Sequence, residues 1–357
     1  MKFRLTFLVC VFGFLVQAQS FDSIQVFQNK LKIPDSIEIL VLGEEHHMDN
    51  SEHKLALIKE LYYSHNTRRV IIEMPRIYEY LVREYVLNND PWAYNLLLKA
   101  KSMNEEDRMR LLEGIRAFNS SLSKEKMVEV NCFDIDDEVG ENALVNIDVV
   151  LSRWDDSKLK LLKSLTHKKT SNLDSLSSNL NKIELELESN KEVCQQVFKE
   201  YYTTIIEAVS AVSIANYNGK ISMKNDTLLL EREKFISKSI RSITEKDSSN
   251  LTLVFAGQLH ATNLIYDSIF DSYSFTSMLR TNYGINTMSC YTVYYNRKIP
   301  LFQRCQDQYE DDLNFDLKSK FEKHDYLFIE KDGLEDSPFL QERCDAILVK
   351  NCYGKKR

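Results

Sequence analysis

The residues of this chain that could do chemistry gather where apolar runs stop. Ile37 to Leu42 is one such run, and it breaks off into Gly43, Glu44, Glu45, His46 and His47. A second run, Arg68 to Met74, carries Glu73 near its end. A third, Met127 to Asp136, closes in Asp134 and Asp136, and a fourth, Leu251 to Ala256, delivers Gly257 and His260. Charged groups beside a buried strand must be paired or put to use, and histidine is the side chain whose proton moves near neutral pH. Two chemistries fit this set. In one, a histidine acts as general base on water while a carboxylate orients it and a cationic group stabilises the oxyanion. In the other, His46, Glu73 and His260 are the three protein ligands of a divalent metal that acidifies a bound water. No H-E-x-x-H pair and no G-x-S-x-G nucleophile elbow occurs. Cys132 falls inside an apolar run and reads as a packed thiol, not a nucleophile.

Continuous apolar runs of this kind belong to strands covered on both faces, and the order strand, helix, strand implies a parallel sheet. In such sheets ligands bind at the carboxyl ends of the strands. That rule sends all four acidic or imidazole-bearing ends to one edge. Gly43 and Gly257 are expected there as residues that let the backbone turn sharply and a substrate approach. Between the strands the pattern is helical. Asp49 with Glu52 opens a helix carrying Leu55, Ile58, Leu61 and Tyr62, and others are expected over Tyr78–Leu87, Pro91–Lys101 with Asp90 as cap, and Glu105–Phe118. From about 139 to 247 the chain is almost wholly helical in pattern, with the charged stretch Asn181 to Lys199 as a solvated face. A helix over Ser274–Asn282 and strands over Asn286–Tyr295 and Asp345–Val349 complete the reading. The expected fold is α/β, with a central mostly parallel sheet, helices on both faces and a helical insertion at about 139–247 that roofs the cleft. Residues 19–357 are expected to form a single domain.

Composition narrows the function. With 357 residues and 43% hydrophobic content a sizeable core is available, and 9 glycines and 5 prolines are too few for a turn-rich all-β architecture. A net charge of -7 with no basic stripe argues against a nucleic-acid partner. Residues 1–18 have the form of a signal peptide: Lys2 and Arg4, the apolar stretch Leu5 to Leu15, then Val16-Gln17-Ala18. The expectation is an exported protein, periplasmic or secreted, without a membrane span after signal removal. Six of the seven cysteines lie beyond that segment, and export permits disulfides, most plausibly among Cys305, Cys344 and Cys352.

Several stretches follow one another as in a known family. LGEEHH, a helix, VIIEM, RAFN before a strand closing in FDID, the helix LEREKFISKSI and finally VFAGQLHATN resemble the erythromycin esterase family and its wider superfamily. That superfamily also takes in Tiki-type metalloproteases and haem-binding bacterial lipoproteins. The resemblance runs from about Ile37 to Asp345 and implies a hydrolase that cleaves an ester or amide bond of a small molecule or peptide with histidine-activated water and no cofactor. It matches Glu44 and His47 to the G-E-x-x-H acid and general base, His46 to the G-x-x-H histidine of the metalloprotease branch, Glu73 to the acid after the second strand, Arg232 to an arginine beside the site, and His260 to the late histidine. Where the esterases carry H-N-x-H, this chain has Gly257 and reads GQLH. That is the G-x-x-H form of the metalloprotease and haem-binding branches, so a metal-dependent peptidase and a haem binder stand as alternatives.

Overall fold

The computed structural model describes residues 33–44, 51–99, 106–135, 141–154, 159–166, 173–220, 226–245, 250–263, 266–267, 272–295, 326–330 and 344–351. The expected signal peptide, Glu45, His46, His47, Asp136, Cys305 and Cys352 lie outside them.

Four strands carry the candidate residues: β1 (Ile39–Glu44), β2 (Arg69–Pro75), β3 (Glu129–Asp134) and β4 (Thr252–Gly257). The short β5 (Tyr266–Asp267) and β6 (Ser272–Tyr273) pair only with each other. β7 (Thr287–Tyr295), β8 (Tyr326–Glu330) and β9 (Ala346–Asn351) extend the main sheet, whose order is β3-β2-β4-β1-β7-β9-β8. All neighbours are parallel except the edge pair β8 and β9. The segment YLFIE of β8 was not expected as a strand. β1 and β2, consecutive in sequence, are not neighbours: β4 lies between them.

The apolar runs became central strands because both faces are covered. In β1 the even positions Leu40 and Leu42 face one apolar core and the odd positions Ile39 and Val41 another, none more than 2% exposed. Burying each such side chain is worth about 1.5–3 kcal/mol. The first face is covered by α1 (Ser51–His65), α2 (Glu79–Asn88), α3 (Pro91–Lys99) and α4 (Glu106–Asn119). Asp90 caps α3 as expected, accepting from Trp92 N at 2.8 Å. At the start of α1 the group that receives Ser51 N–H is Asp107, from α4.

Between β3 and β4 come α5 (Glu141–Leu151), α6 (Lys160–Thr166), α7 (Leu173–Ser189), α8 (Lys191–Phe198), α9 (Tyr202–Lys220) and α10 (Asp226–Thr244). α5 to α9 add to the first core, and the charged face of α7 and α8 is exposed while Ile183, Leu187, Cys194 and Phe198 are buried. α10 and α11 (Phe275–Tyr283) cover the second face. No helix among the described residues is long and apolar enough to cross a membrane.

Candidate functional site

Glu44 ends β1 and Glu73 lies near the end of β2, and the strands aim them to opposite faces. Glu44 continues the even positions of β1 toward α1, where its Oε1 meets Lys54 Nζ at 2.6 Å. Burial pushes the Glu44 carboxyl above its ordinary range; Lys54 opposes that, and Glu73 and Asp107 add to it. Lys54 is held there by its own packing, with its ammonium 5.4 Å from the centre of the Phe255 ring.

Glu73 alternates with Ile72 and Met74 and leaves on the α10 face. Between Ile72 and Pro75 β2 carries one residue more than β3, a bulge of the kind that redirects side chains at the rims of sheets. Its Oε2 accepts from Gly257 N at 2.6 Å, which ties the ends of β2 and β4 together. Its Oε1 is 3.6 Å from Arg232 Nη2 and 3.6 Å from His260 Nε2. Those distances are too long for direct hydrogen bonds and short enough for strong Coulombic coupling.

Arg232, on α10, makes a two-pronged pair with Asp134 at the end of β3: Nε to Oδ1 at 2.9 Å and Nη2 to Oδ2 at 2.6 Å. Burial disfavours its charge, but Asp134, Glu73 and Glu233 more than offset this and hold the guanidinium above its ordinary range. His260 sits in the single-turn segment Gln258–Ala261 that follows β4. Its Nδ1 is 2.6 Å from Glu233 Oε1, a contact off the ring N–H axis and so an ion pair, not an aligned hydrogen bond. Burial would lower the imidazole pKa, yet Glu233 and Glu73 outweigh it and push it up to about 10.

The two glycines differ. A Cβ on Gly43 would lie 2.7 Å from Ala261 Cβ and 3.1 Å from Gln258 Cα, so Gly43 is what lets the His260 segment pack against β1. Gly257 has φ -58°, open to any residue; its contribution is the N–H that Glu73 receives, not the sharp turn expected of it.

Of the residues expected at the site, the structure brings Glu73, Asp134, Arg232 and His260 together and sets Glu44 at the same edge on the other face. Lys54 and Glu233 were missed. Neither stands out in the sequence, yet each lies in a buried stripe: Lys54 with Ile58 and Leu61, Glu233 with Ile236, Ser237, Ile240 and Ile243. A charge at a core-facing helical position was the available signal. Cys132 is buried, with its thiol pushed up to about 12 by burial, as a packed residue would be. No disulfide joins two described cysteines, and the expected Cys305–Cys344–Cys352 group has two members outside the described residues.

Of the metal set, His46 lies outside the described residues, and the Glu73 carboxylate receives Gly257 N–H on Oε2 and faces the Arg232 guanidinium with Oε1, so a dication there would compete with fixed positive charge. No group of three or more His, Cys, Asp or Glu side chains suited to a metal occurs among the described residues.

Comparison with known proteins shows the fold alone. No family model and no curated protein matches the sequence. Among solved structures, a protein from Bacillus cereus superposes with a TM-score of 0.62 at 15% identity, over 94% of this chain and 92% of that one. A succinoglycan biosynthesis protein gives 0.60 at 14%, over 93% and 96%. An erythromycin esterase, EreC, determined as a mutant in its open conformation, gives 0.60 at 12%, over 88% and 90%.

Proposed function

We propose that this chain is an exported hydrolase, a distant member of the erythromycin esterase family, that cleaves an ester or amide bond with histidine-activated water. The observation that carries the reading is the position of Glu73: one carboxylate oxygen stands 3.6 Å from both Arg232 and His260, at the carboxyl edge of a parallel sheet. Fixed cations at such an edge are suited to the negative charge that develops on a carbonyl oxygen when water attacks it. The shared fold with an erythromycin esterase supports the reading without specifying the substrate.

In this mechanism His260, already carrying its proton, does not take one from water. The base is therefore assigned to His47, with His46 as the other candidate, the two residues that follow Glu44 and Glu45 in sequence. Glu44 and Glu73 orient or polarise the base and the water, and Arg232 faces the developing oxyanion. His46 and His47 are assigned by sequence and resemblance, Glu73 and Arg232 by geometry as well.

The test is turnover of a panel of p-nitrophenyl esters, a macrolide lactone and peptide amides by the purified mature protein, before and after exhaustive chelation. Ester or amide cleavage that survives chelation and disappears in His47→Ala or His46→Ala is the expected result. No turnover of any member of the panel sinks the proposal, and turnover abolished by chelation and restored by a divalent metal replaces it with the metallohydrolase. Export is tested by the amino-terminal sequence of protein recovered outside the cytoplasm, expected to begin just after Ala18.

A further inference from the structure

Lys54 occupies a place that a helix of this kind normally gives to an apolar residue. Ile58 and Leu61, its neighbours at helical spacing, are wholly buried, and its own side chain is 15% exposed. A charge in such a stripe needs a partner, and the Glu44 carboxylate, 17% exposed, supplies one, with Oε1 2.6 Å from Lys54 Nζ. Stability alone does not account for the pair. Fixing a lysine costs up to about 2 kcal/mol of side-chain freedom, and an enclosed ion pair is often matched or bettered by apolar residues of similar size. What the lysine adds is a fixed charge at the end of β1.

Lys54 is held from two elements besides its own. Asp107 of α4 accepts from Ser51 N at 2.8 Å and so fixes the first turn of α1. α4 also comes close to the next residue, Leu55, because Gly114 has no side chain: a Cβ there would lie 2.6 Å from Leu55 Cδ2. From β4 the Phe255 ring faces the ammonium at 5.4 Å, a contact that suits a cation. Glu44 in turn stands in register with Gly257 at the end of β4, whose N–H goes to Glu73. The Lys54–Glu44 pair and the Glu73–Arg232 cluster therefore meet at the end of one strand from opposite faces. With Oε1 taken up by Lys54, Glu44 Oε2 receives no hydrogen bond from any described residue.

We propose that Lys54 is the positioning residue of Glu44: it fixes one carboxylate oxygen so that the other is presented to the histidine base or to the attacking water. It acts through Glu44 and not on the substrate, as Asp134 acts through Arg232 on the opposite face. The effect on turnover rests on the hydrolytic reading above; the coupling of Lys54 to Glu44 does not.

The experiment compares the full-length mature protein with Lys54→Met, Lys54→Arg, Glu44→Gln and the double variant Lys54→Met/Glu44→Gln, on whichever p-nitrophenyl ester, lactone or amide the wild type cleaves fastest. Lys54→Met should lower kcat by about 10- to 100-fold with KM within about 2-fold of the wild type, the scale of losing a group that orients another. Lys54→Arg, which keeps the charge, should recover part of that kcat. The double variant should be no slower than Glu44→Gln alone, because a residue that acts only through Glu44 has nothing left to act on. An unchanged kcat in Lys54→Met or in Glu44→Gln, a Lys54→Arg no better than Lys54→Met, or losses that multiply in the double variant overturns the proposal. Where Lys54→Met does not fold, as judged by circular dichroism, Lys54→Gln takes its place in each comparison. An absence of turnover in the wild type defeats the hydrolytic reading instead, and the same four variants then judge the pair by urea denaturation. Their unfolding equilibria should show a coupling of about 2- to 10-fold between positions 44 and 54, and no coupling overturns the proposal.

Discussion

Two arginines leave the neighbourhood of β2 and α10 in opposite manners. Arg76 follows directly after β2 and is wholly buried. It pairs with Glu79 and Glu207, donating from Nε to Glu207 at 2.9 Å and from Nη1 to the Cys132 carbonyl at 3.0 Å. Its partners are occupied in turn: Glu79 receives Cys132 N and Thr204 Oγ1, and Glu207 receives Ser242 Oγ. Arg232, with a side chain 23% exposed, grips Asp134 with both prongs and leans on Glu73 at a distance no hydrogen bond spans. The first network is saturated and closed, so it can only join parts of the fold. The second keeps charge that is incompletely matched within reach of solvent, which is the condition under which a buried cluster can act on a ligand.

Breaking the closed network should have the largest effect. Arg76→Met leaves Glu79 and Glu207 buried without their cation and should cost about 3–5 kcal/mol of stability, read from urea denaturation. Residual activity should follow the folded fraction. The contrast fails if Arg76→Met is stable but inactive. In the open network the balance should reverse. Arg232→Gln should lower kcat/KM by about 10²- to 10³-fold, while stability falls by only about 1.5–3 kcal/mol through the loss of its charged hydrogen bonds to Asp134. Equal losses in both quantities would make Arg232 a second structural joint.

Gly43→Ala probes the support beneath the open network. The added methyl presses on Ala261 and should cost about 1–3 kcal/mol, with a larger fractional loss of activity as the His260 segment is displaced. A crystal structure with that segment unmoved and activity intact would remove Gly43 from the site.

The contrast extends to pH dependence. Folded His260 keeps its proton up to about 10, whereas in the unfolded chain a histidine loses it near ~6.5. Between those values the unfolded state binds fewer protons, so stability falls as pH rises; the contribution is complete below ~6.5 and gone above about 10. Melting temperatures from pH 6 to 10 should decline in the wild type and flatten in this respect in His260→Asn. The Arg76 network contains no histidine and predicts no such difference, so identical profiles would contradict the charged ring.

The sheet was legible because burial on both faces leaves unbroken apolar runs, as at Ile39–Leu42 and Leu253–Phe255, and the acids and imidazole at their ends then fell together by topology alone. The order of strands was not legible: nothing local in β4 says that it inserts between β1 and β2. Glu233 and Lys54 escaped because a charge on a helix is usually solvated, and only partners far off in sequence, His260 and Glu44, make these two core residues. Arg76 escaped for the same reason, its partner Glu207 being supplied by α9.

The strand order also bears on how the chain acquires its fold. β1 pairs with β4 in the register Ile39 to Thr252, and with β7 in the register Ile39 to Thr287. The central strand is therefore made early and must wait for both neighbours, about 10–40 seconds of synthesis at ~5–20 residues per second for the first of them. Until then Ile39, Leu40, Val41 and Leu42 have no sheet to enter, and pairing so distant in sequence closes slowly. The nascent chain thus presents its most apolar strand unprotected for most of its synthesis, and its dependence on a holding chaperone should be greatest before β4 emerges.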